Sequence, residues 1–200
     1  MQNETLHRFM VLSLVAGGLL ACSTASESES ESESENGNST NTEDTFTVLS
    51  SAFSEGESLP AAHSCSRDGG SDLSPPLSWS NPPEGTTEYA LIMYHYPDDS
   101  VETPSHYWEV WNIPSSVTSL ESGNPLSVGN EGSNKDGVGT GYTPPCSPGD
   151  AVHHYTIRVY ALSESLEALG SSDNLDVGWT EFIAAVEAIS LGYAEVSFTK

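Results

Sequence analysis

The run from Tyr89 to Tyr94 limits the fold more than any other stretch of this chain. It reads YALIMY, and such unbroken apolar character is typical of a strand that is buried on both faces. Three further runs have strand character, and segments rich in Pro, Gly, Asn and Ser separate all four. We therefore predict a mainly β domain, built as a sandwich with a few peripheral helices. The three further runs are Trp108 to Ile113, His154 to Leu162 and Ala194 to Thr199.

Weaker signals complete the expected domain. Near its end, Thr180 is placed to cap a helix from Glu181 to Leu191 that stops at Gly192, before the final strand. The segment from Leu120 to Pro145 has no periodicity and reads as a long loop, and long loops tend to be functional or mobile. Further short elements are expected at Thr45 to Ser50 and Leu77 to Ser80 (strands) and at Ser163 to Leu169 (a turn of helix).

The first 21 residues resemble a lipoprotein signal peptide. A modest basic start is followed by a short apolar core, and Leu19-Leu20-Ala21-Cys22 matches a lipobox in which Cys22 receives the lipid. The alternative is an ordinary cleavable signal with an incidental cysteine. Ser23 resembles an outer-membrane address, so the expected location is the cell envelope, lipid-anchored at the outer membrane of a Gram-negative bacterium.

Residues 22–45 have the composition of a disordered acidic linker, because alternating Ser and Glu offer little apolar surface to offset the entropy of ordering. The folded domain is then 46–200. The chain carries 29 acidic and 5 basic residues, a formal charge of −24. This charge argues against nucleic acid, and against membrane contact other than through the lipid. Either adaptation to salt or a cationic ligand fits such a surface.

The three cysteines suggest one disulfide. With Cys22 carrying lipid, only Cys65 and Cys146 remain for an oxidising compartment. We predict that they pair.

Three sequence blocks together are more specific than any one alone. They are Ser74-Pro75-Pro76-Leu77-Ser78-Trp79 with the later Tyr96-Pro97-Asp98-Asp99, then His106-Tyr107-Trp108-Glu109-Val110-Trp111-Asn112-Ile113-Pro114, then Gly141-Tyr142-Thr143-Pro144-Pro145-Cys146 leading into His153-His154-Tyr155. In this order the chain resembles the phosphatidylethanolamine-binding protein (PEBP) family, in its bacterial Raf kinase inhibitor protein-like branch. The resemblance covers about residues 46–200 and implies a PEBP-like β-sandwich with a small anion-binding pocket at one end.

The resemblance also implies which residues form the pocket. Asp98, Pro145, His153 and Tyr155 match the family's ligand-binding positions, whereas Tyr96 and Tyr107 stand where an acid and a histidine belong. His106 lies one place before the histidine position, and on a strand that is the opposite face unless the strand bulges. Since phenols replace two charged or titratable groups, the pocket is either remodelled for another small molecule or vestigial.

Other kinds of site are less well supported. Histidines 95, 106, 153 and 154 are the obvious metal candidates, but adjacent histidines on a strand point to opposite faces, so no metal or cofactor is expected. No G-x-S-x-G motif places a nucleophile, so no enzyme activity or catalytic residue is expected. Two functions remain: a non-enzymatic module that binds a small anionic or polar ligand, and a module that binds and inhibits a protease or kinase-like partner through Leu120 to Pro145.

Overall fold

The computed structural model describes residues 45–98, 100–123, 127–146, 149 and 151–200. The predicted signal peptide, the predicted lipidation site Cys22 and all of the predicted linker before Thr45 lie outside these residues. In the part of the chain that is described, no helix has the length and apolar character needed to cross a membrane.

Two antiparallel sheets form the domain. The larger has the strand order β6-β4-β3-β7-β8, and the smaller has the order β1-β2-β5. The strands are β1 (Thr47–Leu49), β2 (Leu77–Ser80), β3 (Glu88–His95), β4 (Ser105–Pro114), β5 (Ser119–Leu120), β6 (Asn130–Glu131), β7 (His154–Leu162) and β8 (Ser190–Thr199). The expected mainly β sandwich is confirmed.

Strand β3 lies at the centre of the larger sheet and is covered on both faces. Leu91 and Met93 face the smaller sheet and pack with Val48 and Trp79. Ile92 faces the other way, in a second apolar cluster that includes Phe182 of the only helix longer than one turn in the described residues, α1 (Trp179–Glu187). The unbroken apolar run thus becomes a strand between two cores, because alternate side chains point to opposite faces.

The helix differs from the expectation at both ends. It begins one residue before Thr180, with Gly178 at the N-cap, and it ends at Glu187. The segment expected to finish it instead starts β8, where Ser190 pairs with Leu162 and Gly192 with Ala161. Pairing with a long neighbouring strand outweighs the weak helical preference of these residues.

In its described residues the segment from Leu120 to Pro145 is mainly irregular, as expected, but it is anchored to the domain. β6 pairs with β4 at Val110 and Trp111, and the Tyr142 hydroxyl donates a hydrogen bond to the carbonyl of His63. The predicted disulfide is present between Cys65 and Cys146, which are 81 residues apart. Three short 3-10 turns complete the fold, at Ala61–His63, Ser66–Asp68 and Glu167–Leu169.

Candidate functional site

A cavity of about 350 Å³ lies where β3 ends and β7 begins. The chain leaves β3 at Tyr96-Pro97, and proline both lacks an N–H for the ladder and favours an extended residue before it. The returning chain enters β7 at His154, so that two loops border one opening. The cavity is lined by Tyr94, His95, Tyr96, Pro97, Asp98, Val152, His153, His154 and Thr156.

Two histidines from these two loops are hydrogen-bonded to each other. His95 Nε2 lies 3.1 Å from His153 Nδ1, and the main chain of His153 is fixed by reciprocal hydrogen bonds with Lys200 of 2.8 and 2.9 Å. His95 is only 7% exposed. Burial lowers the pKa of His95, and the neighbouring charges of His153, His154 and Lys135 lower it further. A neutral His95 at physiological pH follows from this environment.

An aromatic stack of buried rings packs against His95 of the histidine pair. The His95 ring lies parallel to Tyr155 at 4.8 Å between centroids, and Tyr155 stacks on Phe198 at 5.3 Å. The Tyr107 ring meets Tyr155 edge-on at 5.1 Å. Burial, together with the charge of Tyr155 and a hydrogen bond to it, raises the pKa of Tyr107. These rings fix the orientation of His95 and leave little room for it to rotate.

Tyr107 reaches this stack because β4 bulges at its position. Met93 pairs with Trp108 but Tyr94 pairs with His106, which leaves Tyr107 as the extra residue. A bulge of this kind allows two successive side chains to share a face. Both Tyr107 and Trp108 pack in the core between the sheets. The bulge does not bring His106 to the cavity, since its ring lies against Gly178 at the start of α1.

Asp98 lies at the exposed rim of the cavity. Its Oδ1 accepts hydrogen bonds from the Ser100 hydroxyl and from the Ser100 amide, the latter at 2.9 Å. These bonds lower the pKa of Asp98. One carboxylate oxygen is therefore engaged within its own turn, and the ionised group stands at the mouth of the cavity.

A second cavity, of about 370 Å³, adjoins the aromatic stack at Tyr107 and is the more positive of the two. Arg67 and Lys135 both line it, in a chain with only five Lys and Arg residues. The Arg67 guanidinium donates to the carbonyl of Cys146 at 2.9 Å. The charge of Lys135 also lowers the pKa of His95, so it acts on both cavities. The other lining residues are Cys65, Asp136, Thr143, Pro144 and Cys146.

The structure divides the six predicted ligand-binding residues into three groups. Tyr96, Asp98 and His153 line the first cavity. Tyr107 lines the second. Tyr155, 2% exposed, and Pro145, which is buried and accepts a hydrogen bond from the Cys65 amide, lie beneath the surface and support the walls.

Sequence reasoning gave His95 no role in the pocket and considered it only as a metal candidate. The signal was available: extending the YALIMY strand by one residue places His95 on the same face as Met93 and Leu91. His153 and His154 both border the first cavity, although adjacent histidines on a strand are expected to point to opposite faces. The cavity wraps around the end of the strand, so it meets both faces.

Among the described residues, one group of three metal-ligand side chains lies close enough together to hold an ion: Cys65, Asp68 and Cys146. Both sulfur atoms of that group are already joined in the disulfide. A disulfide sulfur is a poor metal ligand because metals bind the thiolate. The histidines of the first cavity are not part of this group.

Comparison with known proteins agrees with this architecture. The family described as phosphatidylethanolamine-binding protein matches residues 49–199. A UPF0098 protein of Aquifex aeolicus is 38% identical over 128 residues, which cover 62% of this chain and 70% of the relative. The UPF0098 protein YbcL of Escherichia coli is 35% identical over 144 residues, covering 67% of this chain and 78% of YbcL.

Two solved structures are also similar. The crystal structure of Escherichia coli YbcL, described as a member of the mammalian PEBP family, has a TM-score of 0.66 at 30% identity and covers 77% of this chain and 96% of YbcL. A PEBP homologue from Chlamydia trachomatis has the same TM-score and identity, covering 78% and 96%. With the sandwich and the matched residues, these findings place the chain in the phosphatidylethanolamine-binding protein family, among its UPF0098 proteins.

Proposed function

We propose that this protein is an envelope-tethered, non-enzymatic binding protein that holds a small anionic or polar molecule at the end of its sandwich. The single observation that carries the proposal is the hydrogen-bonded His95–His153 pair, which lines a cavity of about 350 Å³. Imidazole N–H groups are effective donors to phosphate and carboxylate oxygens. Fixing two imidazoles on an aromatic stack reduces the entropy lost when a ligand binds.

The distribution of charge favours an anion at this end. The domain is strongly acidic, yet two of its few basic residues, Arg67 and Lys135, line the second cavity together with one acid, Asp136. Their positive potential offsets the acidic surroundings at one location and attracts anions there. The Tyr107 and Tyr96 phenols add neutral hydrogen-bonding groups, so the site suits a small oxyanion with a polar or aromatic substituent. This favours the remodelled pocket over the vestigial one.

A thermal-shift screen tests this function. We expect inorganic phosphate, phosphoethanolamine or a small carboxylate at millimolar concentration to raise the melting temperature of the full chain at pH 6. The shift should vanish in His153→Ala and persist in His106→Ala, which removes a histidine from the opposite face of the same sheet. A flat screen, or shifts that survive in His153→Ala, would contradict the proposal.

Binding of a protease or kinase-like partner is the second proposal, and one feature of the long segment favours it. The turn from Asn134 to Gly139 is held by the Asn134 carboxamide, which accepts hydrogen bonds from the amides of Val138 and Gly139 at 3.1 and 3.3 Å. The Val138 side chain at its tip is 80% exposed. A turn that its own hydrogen bonds already hold in place loses less conformational entropy when a protein partner contacts it. A flat ligand screen, followed by inhibition of a protease or kinase by wild type but not by Val138→Asp, would favour this alternative.

The lipid anchor is part of the proposal and rests on the sequence of residues 19–22. Expression in Gram-negative cells fed labelled palmitate should label the wild type but not Cys22→Ala. Unlabelled wild-type protein would leave the ordinary cleavable signal as the correct interpretation.

A further inference from the structure

We propose that the His95–His153 pair takes up a proton from solvent when an oxyanion binds, so that the affinity for anions rises as the pH falls below neutrality. This inference rests on the proposed function and adds its regulation. The ligand class it predicts is a small tetrahedral oxyanion, from either a free phosphate or sulfate or a lipid headgroup.

The chemistry of an imidazole–imidazole hydrogen bond leads to this inference. In the 3.1 Å contact between His95 Nε2 and His153 Nδ1, one nitrogen must carry the proton and the other must accept it. A neutral pair therefore presents one N–H donor and one bare nitrogen on its two outer positions. A singly protonated pair presents two donors and a positive charge, and it is this form that matches a fully ionised oxyanion such as sulfate, which offers acceptors alone.

The pair has charged and titratable neighbours on several elements of the domain. The pair has no carboxylate hydrogen-bonded to it among the contacts found in the described residues. Asp98 at the rim has one oxygen engaged by Ser100. Lys200, which fixes the main chain of His153, has its ammonium 3.8 Å from the Asp68 carboxylate. The remaining neighbours are His154 of β7, Tyr96 at the rim, Tyr107 and Tyr155 of the aromatic stack, and Lys135 and Asp136 of the loop before Pro145.

This environment favours the neutral form of His95 while no anion is bound. Burial disfavours a cation at His95 most. The positive charge of Lys135, and protonation of His153 or His154, disfavour it further, so the pKa of His95 is lowered. An anion in the cavity reverses the balance because its charge lies beside the pair in a partly desolvated position. Binding and protonation are then linked, and each must strengthen the other to the same extent.

Sulfate is the sharpest probe, because it remains a dianion between pH 5 and 8 and cannot itself deliver or take up a proton. Titration calorimetry of the full chain at pH 7, in buffers of different ionisation enthalpy, measures the protons taken up per sulfate bound. We expect between about one half and one proton per sulfate, and an affinity that falls several-fold from pH 6 to pH 8. Buffer-independent enthalpies with normal binding would overturn this inference and leave the proposed function intact. Absence of sulfate binding at every pH would overturn both.

Histidine variants test whether the proton is taken up by the His95–His153 pair. His95→Gln retains a hydrogen-bonding group beside His153 but removes one imidazole, and proton uptake should fall by at least half. The matched control His106→Gln, on the opposite face of the sheet, should retain wild-type uptake. Uptake that persists in His95→Gln and disappears in His154→Gln would assign the proton to the exposed histidine and refute the inference.

NMR of the wild-type protein tests the same point without a variant, so the result does not depend on whether His95→Gln folds. Ring nitrogen-15 chemical shifts of the wild-type histidines, followed by NMR during addition of sulfate at pH 7, should move together for His95 and His153 toward the imidazolium values. Shifts confined to one of the two rings would contradict a shared proton.

Discussion

The two faces of the five-stranded sheet differ in whether their buried polar side chains have hydrogen-bond partners. On the face toward the smaller sheet, His95 bonds to His153 and stacks on Tyr155. On the face toward α1, Glu109 is 0% exposed, and neither of its carboxyl oxygens has a hydrogen-bond partner in the described part of the chain. Nε2 of His106, buried on that same side, likewise has none there.

Buried polar side chains that are paired can form a binding site, whereas unpaired ones lower the stability of the fold. Paired polar groups that reach a cavity can bind a ligand without a large penalty for burial, because each satisfies the other. An unpaired buried carboxyl lowers stability, and it escapes part of that penalty by holding its proton. Burial, with the nearby charge of Glu181, raises the pKa of Glu109 to about 9. Burial of a polar group therefore does not by itself mark a functional site.

Removing the disulfide should have the largest effect of the changes that test this comparison. Cys65 and Cys146 are joined to each other and line the second cavity. The bridge closes a loop of 81 residues, and the chain-entropy treatment gives a stabilisation of roughly 4 to 5 kcal/mol. Cys65→Ala/Cys146→Ala should lower the free energy of unfolding in urea by about that amount and weaken sulfate binding. Wild type unfolded under reducing conditions is the control. An unchanged urea midpoint would show that packing alone holds this wall.

Glu109→Gln tests the effect of the unpaired carboxyl on the sheet face toward α1. In the unfolded chain the carboxyl has a pKa near 4.5, against about 9 when folded. The folded state thus binds more protons between these values, and stability falls as the pH rises through that window. The variant should be more stable than wild type by roughly 2 to 4 kcal/mol at pH 8. Near pH 4.5 the difference should disappear.

Urea unfolding of Glu109→Gln across pH 4 to 9 is the measurement. Glu121→Gln, at an exposed carboxylate, serves as the matched control and should follow the wild-type curve. Parallel curves for wild type and Glu109→Gln would mean that Glu109 is ionised and has a partner after all, and the contrast between the two faces would fail.

The smallest expected effect is at the rim of the cavity. Asp98→Asn removes a negative charge from the mouth while keeping an acceptor for Ser100, so sulfate should bind about two- to threefold more tightly at low salt. Glu164→Gln, on the helix side of the molecule, should leave the affinity unchanged. Weaker sulfate binding by Asp98→Asn in calorimetry would show that the Asp98 carboxylate supports the site rather than repelling the anion.

The strands were predictable because their patterns are local. Two strands have the bounds that the sequence predicts, His154 to Leu162 and Leu77 to Ser80. The strand predicted from Tyr89 to Tyr94 is one residue longer at each end. The disulfide followed from the number of cysteines in the chain. The helix end was wrong because the fate of Ser190 to Gly192 depends on β7, which lies some 30 residues earlier in the chain.

The ligand-binding residues were only partly accessible to sequence reasoning. The family resemblance identified Tyr96, Asp98 and His153, which do line one cavity, but it could not show that Tyr155 and Pro145 lie beneath the surface. The bulge at Tyr107 was considered, yet its effect is to keep Tyr107 beside Trp108 rather than to bring in His106.

The sequence by itself determined the strands, the family and the acidic character of the domain, since alternation, motifs and charge are properties of neighbouring residues. Only the tertiary structure decided that His95 and His153, 58 positions apart, become hydrogen-bond partners. That contact depends on the register in which His95 lies opposite Tyr155. Register is set by the packing of both faces of the sheet at once, and a one-residue slip would turn His95 to the other face.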